Sequence, residues 1–159
     1  MSLPFGIERC KIDTNGRFKL PVSIKKGLET DDVRFVIRRS VSAPCLELWT
    51  YAGFQEERNF LQNELNRYNR EDLSLLRKLL ICSTVELDSN DRILIPPEQK
   101  EYLKPTKEIV LQSLGEYIEI WDRDAFAKLD EDTTDYAALA DQRLGKIRRN
   151  SSQGTADGQ

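Results

Sequence analysis

Polar and apolar positions alternate in two stretches of the chain that follow the same order. KIDTNGRFKLP (11–21) and ELDSNDRILIP (86–96) share Asp13/Asp88, Arg17/Arg92, Leu20/Ile95 and Pro21/Pro96 at an offset of 75. Downstream, Leu46-Glu47-Leu48-Trp49 and Phe54 return as Ile118-Glu119-Ile120-Trp121 and Phe126 at an offset of 72. Two copies of one repeat, separated by a short indel, account for both offsets.

In each copy an alternating run stops at a turn rich in Asp, Asn or Gly (Asp13 to Gly16, Asp88 to Asp91) and resumes as FKLP or ILIP. That pattern predicts two strands around a turn, ended by Pro21 or Pro96. PVSIKKGL and PPEQKEYL predict a short helix, because proline in a first turn gives up an N–H that has no helical partner. VRFVIRR with CLELWTY, and EIVLQS with YIEIWD, predict a further strand pair in each copy, the latter joined at Leu114-Gly115-Glu116. Each repeat is then about four strands and one small helix.

Phe54, Leu61, Leu65 and Tyr68 recur at helical spacing between the copies, and Asn69 with Asp72 marks the start of a second helix carrying Leu73, Leu76, Leu79 and Leu80. Asp122 or Asp124 opens another short helix. Tyr136, Leu139, Leu144 and Ile147 predict one more, ending in KIRR, where cations complement the negative helix end. The expected organisation is a first repeat over 3–53, linking helices over 54–80, a second repeat over 81–130, a C-terminal helix over 131–149 and a flexible polar tail over 150–159. Trp49, Trp121 and Cys82 sit among apolar neighbours and are expected in the core rather than as stacking platforms.

The chain lacks histidine, which removes the side chain that titrates near neutrality and the commonest transition-metal ligand. Its three cysteines, Cys10, Cys45 and Cys82, are widely spaced without a CxxC, so neither a disulfide framework nor a zinc knuckle is written here. No apolar run approaches the roughly 18 residues of a membrane span. These features point away from an enzyme, a cofactor, a metal, a small-molecule substrate and a membrane partner, and toward reduced thiols in a cytoplasm.

The formal net charge of -3 hides a split. Residues 1–40 hold nine Lys and Arg against five acids, whereas residues 81–129 hold six bases against ten acids. Polyanion binding depends on a local basic patch rather than on whole-chain charge, so the first repeat is expected to lead in any contact with DNA. Arg17, Lys19, Lys11 and Arg9 are the candidate contacts there, since alternate residues of a strand share a face. Arg92 is the second-repeat candidate. An arginine four residues after the turn aspartate can pair with that carboxylate or project outward as a phosphate fork. Asp13 and Asp88 are assigned to the turns themselves, because a carboxylate facing DNA is repelled.

The paired motif Asp-x-x-x-Arg, then Pro after three residues, with a Trp-ended strand following each copy, resembles the MraZ family. The likeness runs over residues 3–130 and includes Phe5-Gly6, LPVSIKKGL, LDSNDRILIPPE and IEIWDRDAF. It implies an α+β, β-rich fold: two pseudo-symmetric AbrB-like swapped-hairpin β-barrel modules with short helices and a linking helical segment. It also implies a bacterial, sequence-specific regulator of the division and cell-wall gene cluster. Such a regulator binds direct repeats in double-stranded promoter DNA at the nucleoid, as a homo-oligomeric ring of eight or more subunits. The family's motif arginines, on the surface assigned to DNA, match Arg17 and Arg92. Asp13, Asp88, Gly16, Pro21 and Pro96 are the structural residues of the motif. Asn15 stands where the family usually has a basic residue, and Asp91 where Gly-Arg is common. Both changes remove positive charge and motivate an alternative: a ring-forming protein scaffold with weak or lost DNA binding.

Overall fold

The computed structural model describes residues 3–28, 30–105 and 107–145, which fall into two compact units, one ending at Ala127 and one beginning at Lys128. In the first unit, strands β1 (Ile7–Lys11) and β2 (Arg17–Lys19), helix α1 (Val22–Gly27) and strands β3 (Arg34–Arg39) and β4 (Leu46–Thr50) make up the first repeat. Helices α2 (Tyr51–Glu64) and α3 (Arg70–Leu79) follow. The second repeat supplies β5 (Cys82–Glu86), β6 (Arg92–Leu94), α4 (Pro97–Leu103), β7 (Glu108–Ser113), β8 (Ile118–Asp122) and α5 (Arg123–Ala127). Four strands and a short helix per copy agree with the alternation in the sequence.

The repeats do not form separate sheets. Six strands make one sheet in the order β1-β7-β8-β4-β3-β5, and β2 pairs with β6 in a second. Exchanging every strand for its counterpart reverses the six-strand order and leaves it unchanged, so a pseudo-twofold axis passes between β4 and β8. There Glu47 faces Glu119, flanked by Leu46 against Ile120 and Leu48 against Ile118. The fold is α+β with all its strand pairs antiparallel, and the described strands form no closed barrel.

Burial explains why the strands differ in pattern. Edge strands β1 and β5 alternate exposed and half-buried residues, whereas β4 is buried throughout. One sheet face receives Phe18, Leu20 and Ile24 from the first repeat and Ile93, Ile95 and Leu103 from the second. Each such side chain contributes roughly 1.5–3 kcal/mol through removal from water. The other face carries Val36, Trp49 and Phe54 in one cluster and Cys45, Val110 and Trp121 in another. Trp49 stacks on Tyr117 with ring centroids 4.8 Å apart, and Trp121 meets Phe126 edge to face at 6.1 Å. Both tryptophans are core residues, as their sequence context predicts.

Cys82 is not. It is exposed, because β5 pairs only with β3 and turns alternate side chains outward. Tyr68 departs from the helical pattern as well. Helix α2 stops at Glu64, and Tyr68 lies 86% exposed in the turn before α3. There Asn66 Oδ1 accepts from the Tyr68 N–H at 3.0 Å and Asp72 Oδ2 from the Asn66 N–H at 2.9 Å, giving the backbone partners other than a helix ladder. Asn69 caps α3 as its sequence predicts, accepting from the Asp72 N–H at 3.1 Å. The short helix α5 is opened by Asp122, whose Oδ2 accepts from the N–H groups of Asp124 and Ala125.

In the second unit, the Asp132 carboxylate accepts from the Thr134 N–H and hydroxyl and from the Tyr136 hydroxyl. These bonds, the tyrosine's foremost, push its pKa down to about 2. Residues 136–145 are helical. Ile147, the KIRR cations and the tail over 150–159 lie outside the described residues.

Candidate nucleic-acid interface

The two DxxxR turns are built alike. Asp13 Oδ1 accepts from the N–H groups of Asn15 and Arg17, both at 2.9 Å, and the Asp13 N–H donates to the Arg17 carbonyl at 2.9 Å. Asp88 Oδ1 accepts from Asn90 at 2.8 Å and Arg92 at 2.9 Å, and its N–H donates to the Arg92 carbonyl at 2.9 Å. These backbone bonds hold both carboxyls below their ordinary pKa, with the Arg17 and Arg92 charges adding to the effect at each site. Both aspartates therefore commit Oδ1 to the turn. The spacing in DxxxR follows from this geometry: the residue four positions on is the one whose N–H closes the loop.

The fourth residue of each turn is left-handed, Gly16 at φ 88° and Asp91 at φ 59°. A Cβ on Gly16 would lie 3.2 Å from the Ile95 carbonyl oxygen, tighter than ordinary contact. That approach is part of a crossed pair of bonds: the Ile95 N–H donates to the Gly16 carbonyl and the Leu20 N–H to the Asp91 carbonyl, each at 2.8 Å. Each hairpin tip is thereby fastened to the strand exit of the other repeat. Pro21 and Pro96 terminate those exits and cap α1 and α4, with carbonyls that accept the Lys25 and Lys100 N–H groups.

This interlock pairs β2 with β6. Arg17 faces Leu94, Phe18 faces Ile93 and Lys19 faces Arg92. Phe18 and Ile93 point into the core, so Arg17, Lys19 and Arg92 share the outer face. Lys19 and Arg92 are like charges directly opposite each other, an arrangement that weakens a sheet unless an anion answers it. Arg9 and Lys11 occupy the exposed positions of β1, with Glu8 and Cys10 turned inward. They line a groove with Lys19, Leu20 and Val22. Glu8 lines the same groove, and the register of Arg9 with Val110 turns Arg9 and Lys11 toward the sheet face opposite β2–β6, so they approach Lys19 only at the groove's rim. None of Arg9, Lys11, Arg17, Lys19 and Arg92 forms an ion pair among the described residues.

Neither Asp88 nor Asp91 forms an ion pair with Arg92. The Asp91 carboxylate instead meets the Lys25 ammonium, Nζ to Oδ1 at 2.5 Å. At the equivalent place in the other half, Lys100 donates to the Thr14 carbonyl at 3.2 Å. Lys25 and Lys100 lie outside the DxxxR motif but recur at the same offset of 75, four residues after Pro21 and Pro96. Trp49 and Trp121 are both buried, each donating its Nε1–H to the glutamate two residues earlier, and offer no stacking surface.

The chain is similar to known proteins over most of its length. The chain is 38% identical over 146 residues to the transcriptional regulator MraZ of Christiangramia forsetii, covering 88% of this chain and 92% of that protein. It is 33% identical to the transcriptional regulator MraZ of Flavobacterium psychrophilum, over 92% of this chain and 95% of that protein. The chain belongs to the MraZ family. The family profile described as "MraZ protein, putative antitoxin-like" matches residues 80–145, and a third relative, the transcriptional regulator MraZ of Cytophaga hutchinsonii, is 30% identical over 88% of this chain and 93% of its own length. The role for which the MraZ family is named is regulation of transcription, which is not an enzymatic one.

Proposed function

We propose that this MraZ-family chain is a sequence-specific regulator, acting as a repressor, that binds double-stranded DNA through the outer face of the β2–β6 sheet and the adjoining β1 edge. The observation that carries this reading is the cluster of Arg17, Lys19 and Arg92 on one face, none of them in an ion pair among the described residues. Such a cluster is answered by phosphate, which also removes the repulsion between Lys19 and Arg92. Arg17 and Arg92 serve as phosphate forks, Lys19 as a point charge between them, and Arg9 and Lys11 extend the track along β1. Asp13 and Asp88 fix the arginine backbones.

Its targets are direct repeats in the promoter of the division and cell-wall gene cluster. A homo-oligomeric ring of eight or more subunits, at the nucleoid in the cytoplasm, places one basic face on each repeat. Modest individual contacts then combine by effective concentration, and occupancy blocks polymerase. The two edge strands of the six-stranded sheet favour self-association. Titrating the DNA upstream of the encoding gene in a gel-shift assay tests the reading. Arg17→Ala is expected to lower affinity about tenfold at ~0.1 M salt, since each lost phosphate contact costs roughly that much; unchanged affinity would contradict it.

A scaffold with weak DNA contact is the second reading, favoured by the loss of charge in the second half, where Thr84, Glu86 and Leu94 replace Arg9, Lys11 and Lys19 at the same offset. Passage through a heparin column at low salt without retention supports it over the regulator.

A further inference from the structure

We infer that Asp91 makes the basic face one-sided: it neutralises Lys25 beside the second turn, where the first turn has Gly16 and no carboxylate, so that DNA phosphate is engaged mainly through the first-repeat half. The inference rests on the DNA-binding reading above and adds to it a residue that sets how the two halves share the load.

The pseudo-twofold relation supplies an internal control. Gly16 and Asp91 occupy equivalent positions, and both backbones are left-handed. At Gly16 the turn presents bare backbone, and the facing lysine, Lys100, can only donate to the Thr14 carbonyl. At Asp91 the chain accepts a left-handed residue with a Cβ, a conformation that favours glycine, and gains a contact between Lys25 Nζ and Asp91 Oδ1. Lys25 belongs to α1 of the first repeat, so the contact ties the second turn to the other half of the molecule. Nearly half of the Lys25 side chain stays exposed, at 48%, and the Asp91 side chain at 34%, so solvent and phosphate can both reach the pair. A carboxylate at the second turn opposes the approach of a phosphate there, whereas the equivalent Gly16 adds none at the first. One carboxylate therefore costs the surroundings of the second turn about one unit of useful charge, by cancelling the lysine it holds.

Affinity for a labelled duplex of the DNA upstream of the encoding gene, measured by fluorescence anisotropy across a salt series, decides the matter. Asp91→Gly suits the left-handed backbone, removes the carboxylate and frees Lys25. It is expected to raise affinity about five- to tenfold at ~0.1 M salt and to steepen the salt slope by about 1. Adding Lys25→Met is expected to return part of that gain. Arg92→Ala is expected to cost about threefold in the native sequence and about tenfold in the Asp91→Gly background, because there no Asp91 carboxylate repels the phosphate that Arg92 engages. Asp91→Asn, which keeps the side-chain volume, is expected to fall between native and Asp91→Gly. Equal or weaker binding by Asp91→Gly, with Arg17→Ala still harmful, overturns this inference alone. Absence of binding by the native chain overturns it together with the DNA-binding reading.

Discussion

Arg9, Lys11 and Lys19 of the first repeat have Thr84, Glu86 and Leu94 as their counterparts in the second, yet Phe18, Leu20 and Trp49 are matched by Ile93, Ile95 and Trp121. Inward positions are kept apolar in both halves and outward positions are not kept alike. The interlock requires the first: each half supplies strands to the other's sheet, so a core side chain missing from one half unseats both. Nothing in the packing requires the second. A duplicated, interdigitated fold can thus hold its backbone symmetric while its surface charge drifts to one side, and the charge decides which half meets an anion.

Core substitutions should be the most damaging and the most even-handed. Phe18→Ala and Ile93→Ala, in register beneath the β2–β6 face, are each expected to lower unfolding free energy in urea by about 3–4 kcal/mol. A large loss from one and little from the other would mean that the halves do not share a core.

A sharper contrast lies on the opposite sheet face. Arg38 is buried, pairs with Glu47 at 2.8 Å and donates to the Leu79 carbonyl at the end of α3, at 3.2 Å. It thereby holds the linking helices and balances one of the two glutamates that meet at the pseudo-axis. The register places Gln112 at the corresponding point opposite Glu119. Arg38→Met strands a buried carboxylate and is expected to cost about 3 kcal/mol, against under ~1 kcal/mol for Gln112→Met. Comparable losses would place the charge balance elsewhere.

Smaller again is the titration of the turns. The folded pKa of Asp13 and of Asp88 is depressed, foremost by the amide bond from the arginine four residues on. The stabilisation they give is complete above the ordinary value of 3.8 and is lost as pH falls through the depressed one. Carboxyl-carbon NMR titration should find both midpoints below 3.8. Because Arg92 also acts on Asp13 across the interlock, Arg92→Ala should raise the Asp13 midpoint slightly. No change there would separate the two turns electrically.

Much of this was legible in the sequence because it is local. The offset of 75 exposes both hairpins, both proline stops and both short helices, and the side-chain oxygen of Asp13 or Asp88 reaches only four residues. What local pattern does not carry is partner choice. That β1 joins β7 and β3 joins β5 follows from which apolar faces can be covered together, and alternation within one strand is silent on that. Cys82 is exposed rather than in the core for the same reason: its apolar neighbours say nothing about an open edge. The contact between Lys25 and Asp91 spans 66 residues and becomes visible only when the two halves are laid over each other.

The salt dependence of DNA affinity for the native chain and for the combined Arg17→Ala, Lys19→Ala, Arg92→Ala variant bears most directly on the basic face. With about 0.9 units of log-log slope per phosphate neutralised, the slope should fall by roughly 2 to 3 while urea unfolding stays cooperative. A folded variant with the native slope would place the DNA contact somewhere other than β2–β6.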